Sequence, residues 1–351
     1  MFQHISVPSR DRFDVLHISE AYGGGVQSAM SRYMENSPEL SHQVLVRTRT
    51  QHDISEACSA DLISFDGSLP GFLRAARSHI MQTKPNAVHL HSSFAGLLRL
   101  FDYGPDIKII YTPHAYAFLR RDCSALARTA YRFAEVALSK RTQTIAAISP
   151  FEAASAARMA GRSTEVTYLP NVVAESTRST KPVTDPRTRP EVVMAGRISA
   201  QKDPLFFAEA ARASRSDVRW TWVGDGDADM REALEQAGVS VTGWLPSELV
   251  KKHIAAADLY LHSAVWEGAP ITLLEAAAVG TPILARGVES LVGLGYPLTG
   301  DCPRAAAADV DRFFADRTFS GNASAATTDS VEVHSPLAQS YALSSLYRRV
   351  G

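Results

Sequence analysis

The stretch Trp266-Glu267-Gly268-Ala269-Pro270-Ile271-Thr272-Leu273-Leu274-Glu275 places two carboxylates eight positions apart on either side of a proline. Proline suits the first position of a helix, so Glu267 is expected on a loop and Glu275 more than a turn inside the helix that follows. Between them stand the helix's unpaired N–H groups and the positive end of its dipole, an anion site suited to a diphosphate. Carboxylates on two sides of such a site can read hydroxyls. Leu273, Leu274 and the run from Ala276 to Val279 make this a mostly buried helix, where an unpaired Glu275 would be costly.

A second signal lies upstream. Gly196-Arg197-Ile198-Ser199-Ala200-Gln201-Lys202-Asp203-Pro204 follows a strand-like run and precedes an expected helix, so Arg197 and Lys202 leave the same loop. Outward from these motifs, short apolar runs alternate with helical stretches, which argues for parallel sheets covered by helices, an α/β class chain. Strands are expected near 14–18, 43–47, 62–65, 87–90, 108–111, 144–148 and 166–169, and again near 191–195, 219–223, 239–242, 259–261 and 282–285. The polar stretch 175–190, with three prolines, reads as a linker. It divides an N-terminal domain, 1–174, from a C-terminal domain, 191–339. After Gly300 an Ala-rich helix gives way to a Ser/Thr-rich stretch and a final helical segment around 340–349.

Composition narrows the function. The chain has 351 residues, 45% of them hydrophobic, enough for two ordinary cores, and a formal charge of −1. That balance lacks the basic excess of a dedicated nucleic-acid binder. The charge is uneven, +4 over residues 1–182 and −5 over the rest. Cys58, Cys123 and Cys302 follow neither a disulfide framework nor a metal-ligand spacing. With no signal pattern and no long apolar run, a cytoplasmic protein is expected.

Taken together, the two motifs resemble the retaining glycosyltransferases of the GT-B fold, family 4 (glycosyltransferase group 1), with its E-x7-E element and G-R-x-x-x-x-K loop. The resemblance runs in order from the Gly23-Gly24-Gly25 loop to about Pro282. It implies two Rossmann-like domains and transfer from a nucleoside diphosphate sugar, UDP-linked for preference, to an acceptor hydroxyl on a sugar or lipid-linked acceptor. The donor is a co-substrate, and no other cofactor and no metal are expected. By carry-over, Arg197 and Lys202 stabilise the departing diphosphate, and Glu267 lies beside the transferred sugar with the amides of Gly268, Ala269 and Ile271. Glu275, with Thr272 and Leu273 on its helix, takes the ribose. Gly226 and the Gly243-Trp244-Leu245 loop meet the nucleotide, and the last helix, about 340–351, packs back on the N-terminal domain. His114, in Tyr111-Thr112-Pro113-His114, resembles the histidine that contacts the donor sugar; domain closure would bring it with Gly24 and Gly25 over the sugar and diphosphate. A nucleotide-sugar epimerase or hydrolase, or a non-catalytic sensor, remains as an alternative.

Three weaker readings complete the sequence. His89 and His91 are assigned to opposite faces of their strand, His91 towards an acceptor. Asp225, Asp227 and Asp229 match a metal-binding D-x-D, but stand at a strand-to-helix junction that favours Asp for turns and capping. The segment 120–141 mixes six basic residues with Phe118, Leu119, Leu126, Tyr131 and Phe133, which fits an interfacial helix on anionic membrane.

Overall fold

The computed structural model describes the backbone of residues 2–5 and, in full, residues 13–20, 22–47, 61–173, 189–332 and 334–348. Cys58, the linker residues 175–188 and positions 349–351 of the last helical segment lie outside the described residues. Two compact units emerge: Met1–Leu119, Ser124–Val172 and Pro336–Gly351 form one, and Arg120–Cys123 with Val173–Ser335 the other.

The N-terminal unit holds an eight-stranded sheet of β1 (Phe2–Ile5), β2 (Val15–Ser19), β3 (His42–Arg47), β4 (Asp61–Phe65), β5 (Ala87–His91), β6 (Lys108–Thr112), β7 (Gln143–Ala147) and β8 (Thr164–Tyr168). The spatial order is β1-β4-β3-β2-β5-β6-β7-β8. All neighbours pair in parallel except β1, which runs antiparallel to β4. The sequence reading missed β1, a four-residue edge strand whose central Gln3 and His4 give no apolar run. Strands β2, β5 and β7 are buried along their whole length, as a sheet covered on both faces requires. Helices α1 (Gly24–Glu35), α2 (Leu69–Thr83), α3 (Ala125–Leu138) and α4 (Pro150–Met159) supply the cover.

In the C-terminal unit a six-stranded parallel sheet is built from β9 (Glu191–Ala195), β10 (Arg219–Val223), β11 (Ser240–Val241), β12 (Leu259–His262), β13 (Ile283–Arg286) and β14 (Leu298–Thr299), in the order β11-β10-β9-β12-β13-β14. Its helices are α5 (Pro204–Ala213), α6 (Ala228–Gln236), α7 (Ser247–Ala256), α8 (Ile271–Ala278), α9 (Pro303–Ala315) and α10 (Arg317–Asp329). Helix α10 takes in the Ser/Thr-rich stretch, to which the sequence reading assigned no helix. Asp316 accepts from the amides of Thr318 and Phe319 at 2.9 and 3.2 Å, capping the helix. The hydroxyls of Ser324, Thr327 and Thr328 donate to carbonyls four residues back at 2.8–3.0 Å, so they do not compete with the helix.

The last helix, α11 (Pro336–Tyr347), begins four residues before the expected 340 and belongs to the N-terminal unit. Gln339 donates to Pro170 O and accepts from Asn36 Nδ2, both at 2.7 Å.

Both sheets reverse their winding at one place, between β2 and β5 and between β9 and β12. Crevices outside the carboxyl ends of strands at such a point are where open α/β sheets bind ligands. In the C-terminal unit the end of β9 is also tied backbone to backbone to the end of β10, its neighbour on the other side: Gly196 N donates to Val223 O, and Ile198 N to Asp225 O, at 3.0 and 2.8 Å. Gly224 makes the approach possible, because at its φ of +141° a Cβ would stand 2.2 Å from Gly196 O. Gly224→Ala is therefore expected to destabilise the protein by about 3 kcal/mol, combining overpacking with backbone strain. Thermal melts should fall by roughly 10 °C, and an unchanged melt would show that these strand ends part freely.

Candidate active site

The loop after β9 is held to the loop after β12 by its own backbone and by Gln201. Val265 N donates to Gln201 O at 3.0 Å, Ser263 Oγ to Lys202 O at 2.6 Å, and Gln201 Nε2 to Trp266 O at 3.2 Å. Asp203 sits in the left-handed region at φ 48°, caps α5 through Phe206 N at 3.2 Å, and pairs with Arg286 at 2.6 Å. These contacts fix where the side chains of Lys202 and Glu267 emerge.

They emerge onto each other. Lys202 Nζ lies 2.5 Å from Glu267 Oε1, Gln201 Nε2 donates to Oε2 at 3.3 Å, and His262 Nε2 stands 3.4 Å from Oε1. Ser290 Oγ accepts from Glu267 N at 3.2 Å. Burial pushes the Glu267 carboxyl up, but the Lys202 ammonium and His262 outweigh it and bring it down to about 2. Burial keeps His262 itself below the usual histidine range. Sequence reasoning placed Lys202 and Glu267 at one site but did not foresee that they neutralise each other. It also missed His262, Ser290 and the bridging role of Gln201, whose partners come from other strands.

Arg197 is thus the cation of this loop without an ion pair among the described residues. Its side chain is exposed, with the guanidinium 6.0 Å from the centre of the Trp244 ring. Trp244 is 63% exposed, unusual for so large an apolar side chain and suited to stacking a planar ligand. Gly243, at φ 74°, turns the chain before it and bridges to Gly224; Leu245 is half-buried and Gly226 is exposed.

Pro270 precedes α8 as its N-cap, one position earlier than expected, because its ψ of 119° is extended and Ile271 is the first helical residue. No side chain caps this helix. Gly268 and Ala269 are buried beside it, Leu273 is buried within it, and Ile271, Thr272 and Glu275 are half-buried. Burial raises the Tyr260 phenol, and the carboxylates of Glu275 and Glu267 add to the rise, so both act on one neighbour. Of the aspartates, Asp227 caps α6 through Met230 N at 3.0 Å and Asp225 pairs with Arg231 at 2.9 Å, while Asp229 lies in the first turn.

In the N-terminal unit Gly24, at φ 51°, opens α1, and Gly24 and Gly25 are exposed. His114 follows β6 in the left-handed region at φ 49°, with Ala115 at φ 77°. Two such residues in succession are strained. Buried Glu152 clamps them, accepting from Ala115 N at 2.8 Å and from Ile148 N at 3.1 Å. Burial raises its carboxyl to about 7. Ser149 and Glu152 have the spacing of a capping box, the sequence signal by which Glu152 was findable. His89 and His91 share a face, as positions two apart on a strand must, and their rings lie 4.1 Å apart, both fully buried. The opposite-face reading is corrected.

With its folded value near 2 against an ordinary 4.5, the Glu267 carboxylate contributes stability in full above about pH 4.5 and loses it as pH falls through 2. Glu267→Gln lacks that contribution. In urea melts the wild type should exceed the variant by about 3 kcal/mol at pH 7, with the gap narrowing steadily below pH 4.5. A gap independent of pH would remove the ion pair as its source.

Comparisons with known proteins follow the same division. A family profile described as "Glycosyl transferase 4-like domain" matches residues 24–172, and one described as "Glycosyl transferases group 1" matches residues 189–316. An uncharacterised 41.2 kDa protein in the cps region of Klebsiella pneumoniae is 26% identical, over 79% of this chain and 82% of its own. The Escherichia coli UDP-Gal:alpha-D-GlcNAc-diphosphoundecaprenol alpha-1,3-galactosyltransferase is 29% identical over 27% of each chain. Among solved structures, sucrose-phosphate synthase from Thermosynechococcus elongatus superposes with a TM-score of 0.80 at 18% identity, covering 97% of this chain and 99% of its own. With one transferase profile on each Rossmann-like unit and neighbours of GT-B fold, the chain belongs to the group 1, family 4 type glycosyltransferases.

Proposed function

We propose that this protein is a retaining transferase that moves a sugar from a nucleoside diphosphate, UDP for preference, to an acceptor hydroxyl in polysaccharide or glycolipid assembly. The observation that carries the reading is the convergence at the β9/β12 switch point of Arg197, the Lys202–Glu267 pair and the uncapped start of α8. The E. coli relative, named for a UDP-Gal donor and a GlcNAc-diphosphoundecaprenol acceptor, supports both the nucleotide and the acceptor class.

In this reading the diphosphate meets the first amides of α8 and the Arg197 guanidinium, and the base stacks on the exposed Trp244 ring. Glu275 accepts from the ribose hydroxyls, and Glu267 from a hydroxyl of the sugar. As the bond from the anomeric carbon to the leaving phosphate oxygen breaks, negative charge grows on the diphosphate, and preorganised cations stabilise that state more than the ground state. The acceptor oxygen bonds to the anomeric carbon from the face the phosphate leaves, and its proton passes to the departing phosphate oxygen. Transfer is proposed to need no divalent metal: Asp225 and Asp227 are engaged by Arg231 and the start of α6, and the site supplies its own positive potential.

A peripheral membrane role is a second part of the proposal. On α3, Leu126 and Phe133 are 80% and 71% exposed, and with Ala130 and Ala137 they follow one helical stripe. Arg121 and Arg132 are exposed, whereas Arg120 is paired with Asp122 at 2.8 Å, and Phe118, stacked on Tyr116 at 4.8 Å, has the Arg132 guanidinium 5.8 Å from its ring centre. Among the described residues no helix is long and apolar enough to cross a membrane. Contact with anionic lipid would bring a lipid-linked acceptor within reach.

The test of the transferase reading is a set of initial rates with nucleotide-sugar donors, with and without excess chelator. Arg197→Ala is expected to lower turnover about 100-fold. Glu275→Gln should weaken nucleotide binding by about tenfold, and Glu267→Gln should chiefly slow transfer. Wild-type behaviour of all three, or activity abolished by chelator and restored by magnesium, would refute the assignment. For the membrane, flotation should recover the wild type with anionic vesicles at low salt and lose a Leu126→Asp, Phe133→Asp double variant; equal recovery of both sinks that part.

A further inference from the structure

Five histidines crowd the interior of the N-terminal unit, and four of them form a single file. His114 Nε2 lies 3.0 Å from His91 Nδ1; His91 Nε2 lies 3.0 Å from His17 Nδ1; His17 Nε2 lies 3.1 Å from His42 Nδ1. His42 Nε2 closes the file 3.1 Å from Ser37 Oγ and 3.2 Å from Ser37 O.

The far end sets the direction. A carbonyl oxygen only accepts, and Ser37 Oγ spends its proton on Tyr33 O at 2.6 Å, so both Ser37 atoms accept from His42 Nε2. His42 Nε2 therefore carries the proton. A neutral imidazole has one N–H, which leaves His42 Nδ1 an acceptor and makes His17 Nε2 its donor. The same step repeats at His91 and ends at His114. Burial first, and at His17 and His91 the neighbouring imidazoles next, holds these histidines below their ordinary range, so the rings are neutral as the count requires.

We propose that Ser37, His42, His17 and His91 form a one-way hydrogen-bond chain that holds His114 in its Nε2–H tautomer and leaves its Nδ1 a pure acceptor for a ligand hydroxyl. The four are positioning residues, and only the identity of the hydroxyl rests on the transferase reading. His114 Nδ1 makes no hydrogen bond among the described residues. His114 thus offers a substrate a lone pair, not an N–H.

A metal does not explain the crowd as well. His17, His89 and His91 bring ligand nitrogens within 4.8 Å of one another, but every ring nitrogen of the three already has a partner. His89 lies outside the file, held by Thr112 Oγ1 and Tyr347 Oη, each at 2.8 Å.

The test is long-range proton–nitrogen NMR of the full chain with 15N-labelled histidine, without ligand at neutral pH. All four rings in the file should show a protonated Nε2 and a bare Nδ1, unchanged by chelator. An Nδ1–H tautomer or an imidazolium at any of the four, or a spectrum that collapses when chelator strips a stoichiometric metal, would overturn the chain. His42→Leu, at the end remote from His114, should turn the single His114 tautomer into a mixture, while His42→Asn, whose amide oxygen can still accept from His17, restores it. A folded His42→Leu protein with His114 unchanged would show that the chain does not set the tautomer. Because no turnover is read, failure of the transferase reading stays distinguishable: it would appear as absent donor binding with the tautomers as described.

Discussion

The Lys202–Glu267 ion pair is possible only because two loops from neighbouring strands are clamped together before any ligand arrives. Because β9 and β12 are adjacent and parallel, the loops after them leave from the same end of the sheet, and the bonds from Val265 N, Ser263 Oγ and Gln201 hold them in register. Breaking such a buried pair by removing one member leaves an uncompensated charge, typically a cost of about 3–5 kcal/mol. The clamp therefore fixes both the stability and the geometry of the pair. Gly224 belongs to the same constraint, since without its missing Cβ the β10 end could not meet Gly196.

The N-terminal unit meets a related problem with uncharged groups. A sheet covered on both faces must hydrogen-bond any polar side chain it encloses, and here the enclosed groups are imidazoles. Each one satisfies the next, and the file ends on Ser37 at one side and His114 at the other. Glu152 plays the matching part for backbone, accepting two amides so that His114 and Ala115 can hold left-handed geometry. Burial raises the Glu152 carboxyl to about 7, and the two amides it accepts from work against that rise.

Much of this was legible in the sequence, for reasons that can be named. The buried parallel strands are continuous apolar runs, so β9 and β10 fall where the apolar pattern put them. The loop carrying Arg197 and the loop carrying Glu267 follow from strand-then-helix order alone. What escaped depends on contacts between distant residues: the Lys202–Glu267 distance, the roles of His262 and Ser290, and the histidine file, whose bonded neighbours lie 23 to 74 positions apart. Helix α10 escaped because its hydroxyls look like loop residues until their bonds to helix carbonyls are seen. Edge strand β1 escaped because pairing with β4, not its own pattern, makes it a strand.

The ion pair also constrains how an anion can be received. A carboxyl held near 2 stays charged through the whole physiological range, so a diphosphate drawn to Lys202 must approach a fixed negative charge as well. The repulsion is relieved only if Glu267 finds donors of its own, and the hydroxyls of a sugar attached to that diphosphate are such donors. A bare diphosphate has none to offer. Under the transferase reading, the pair therefore favours a ligand that joins anion and polyol in one molecule over either part alone, and Arg197, exposed and without an ion-pair partner among the described residues, supplies the attraction that Lys202 shares with Glu267. Selectivity of this kind comes from a cost imposed on the wrong ligand as much as from contacts to the right one.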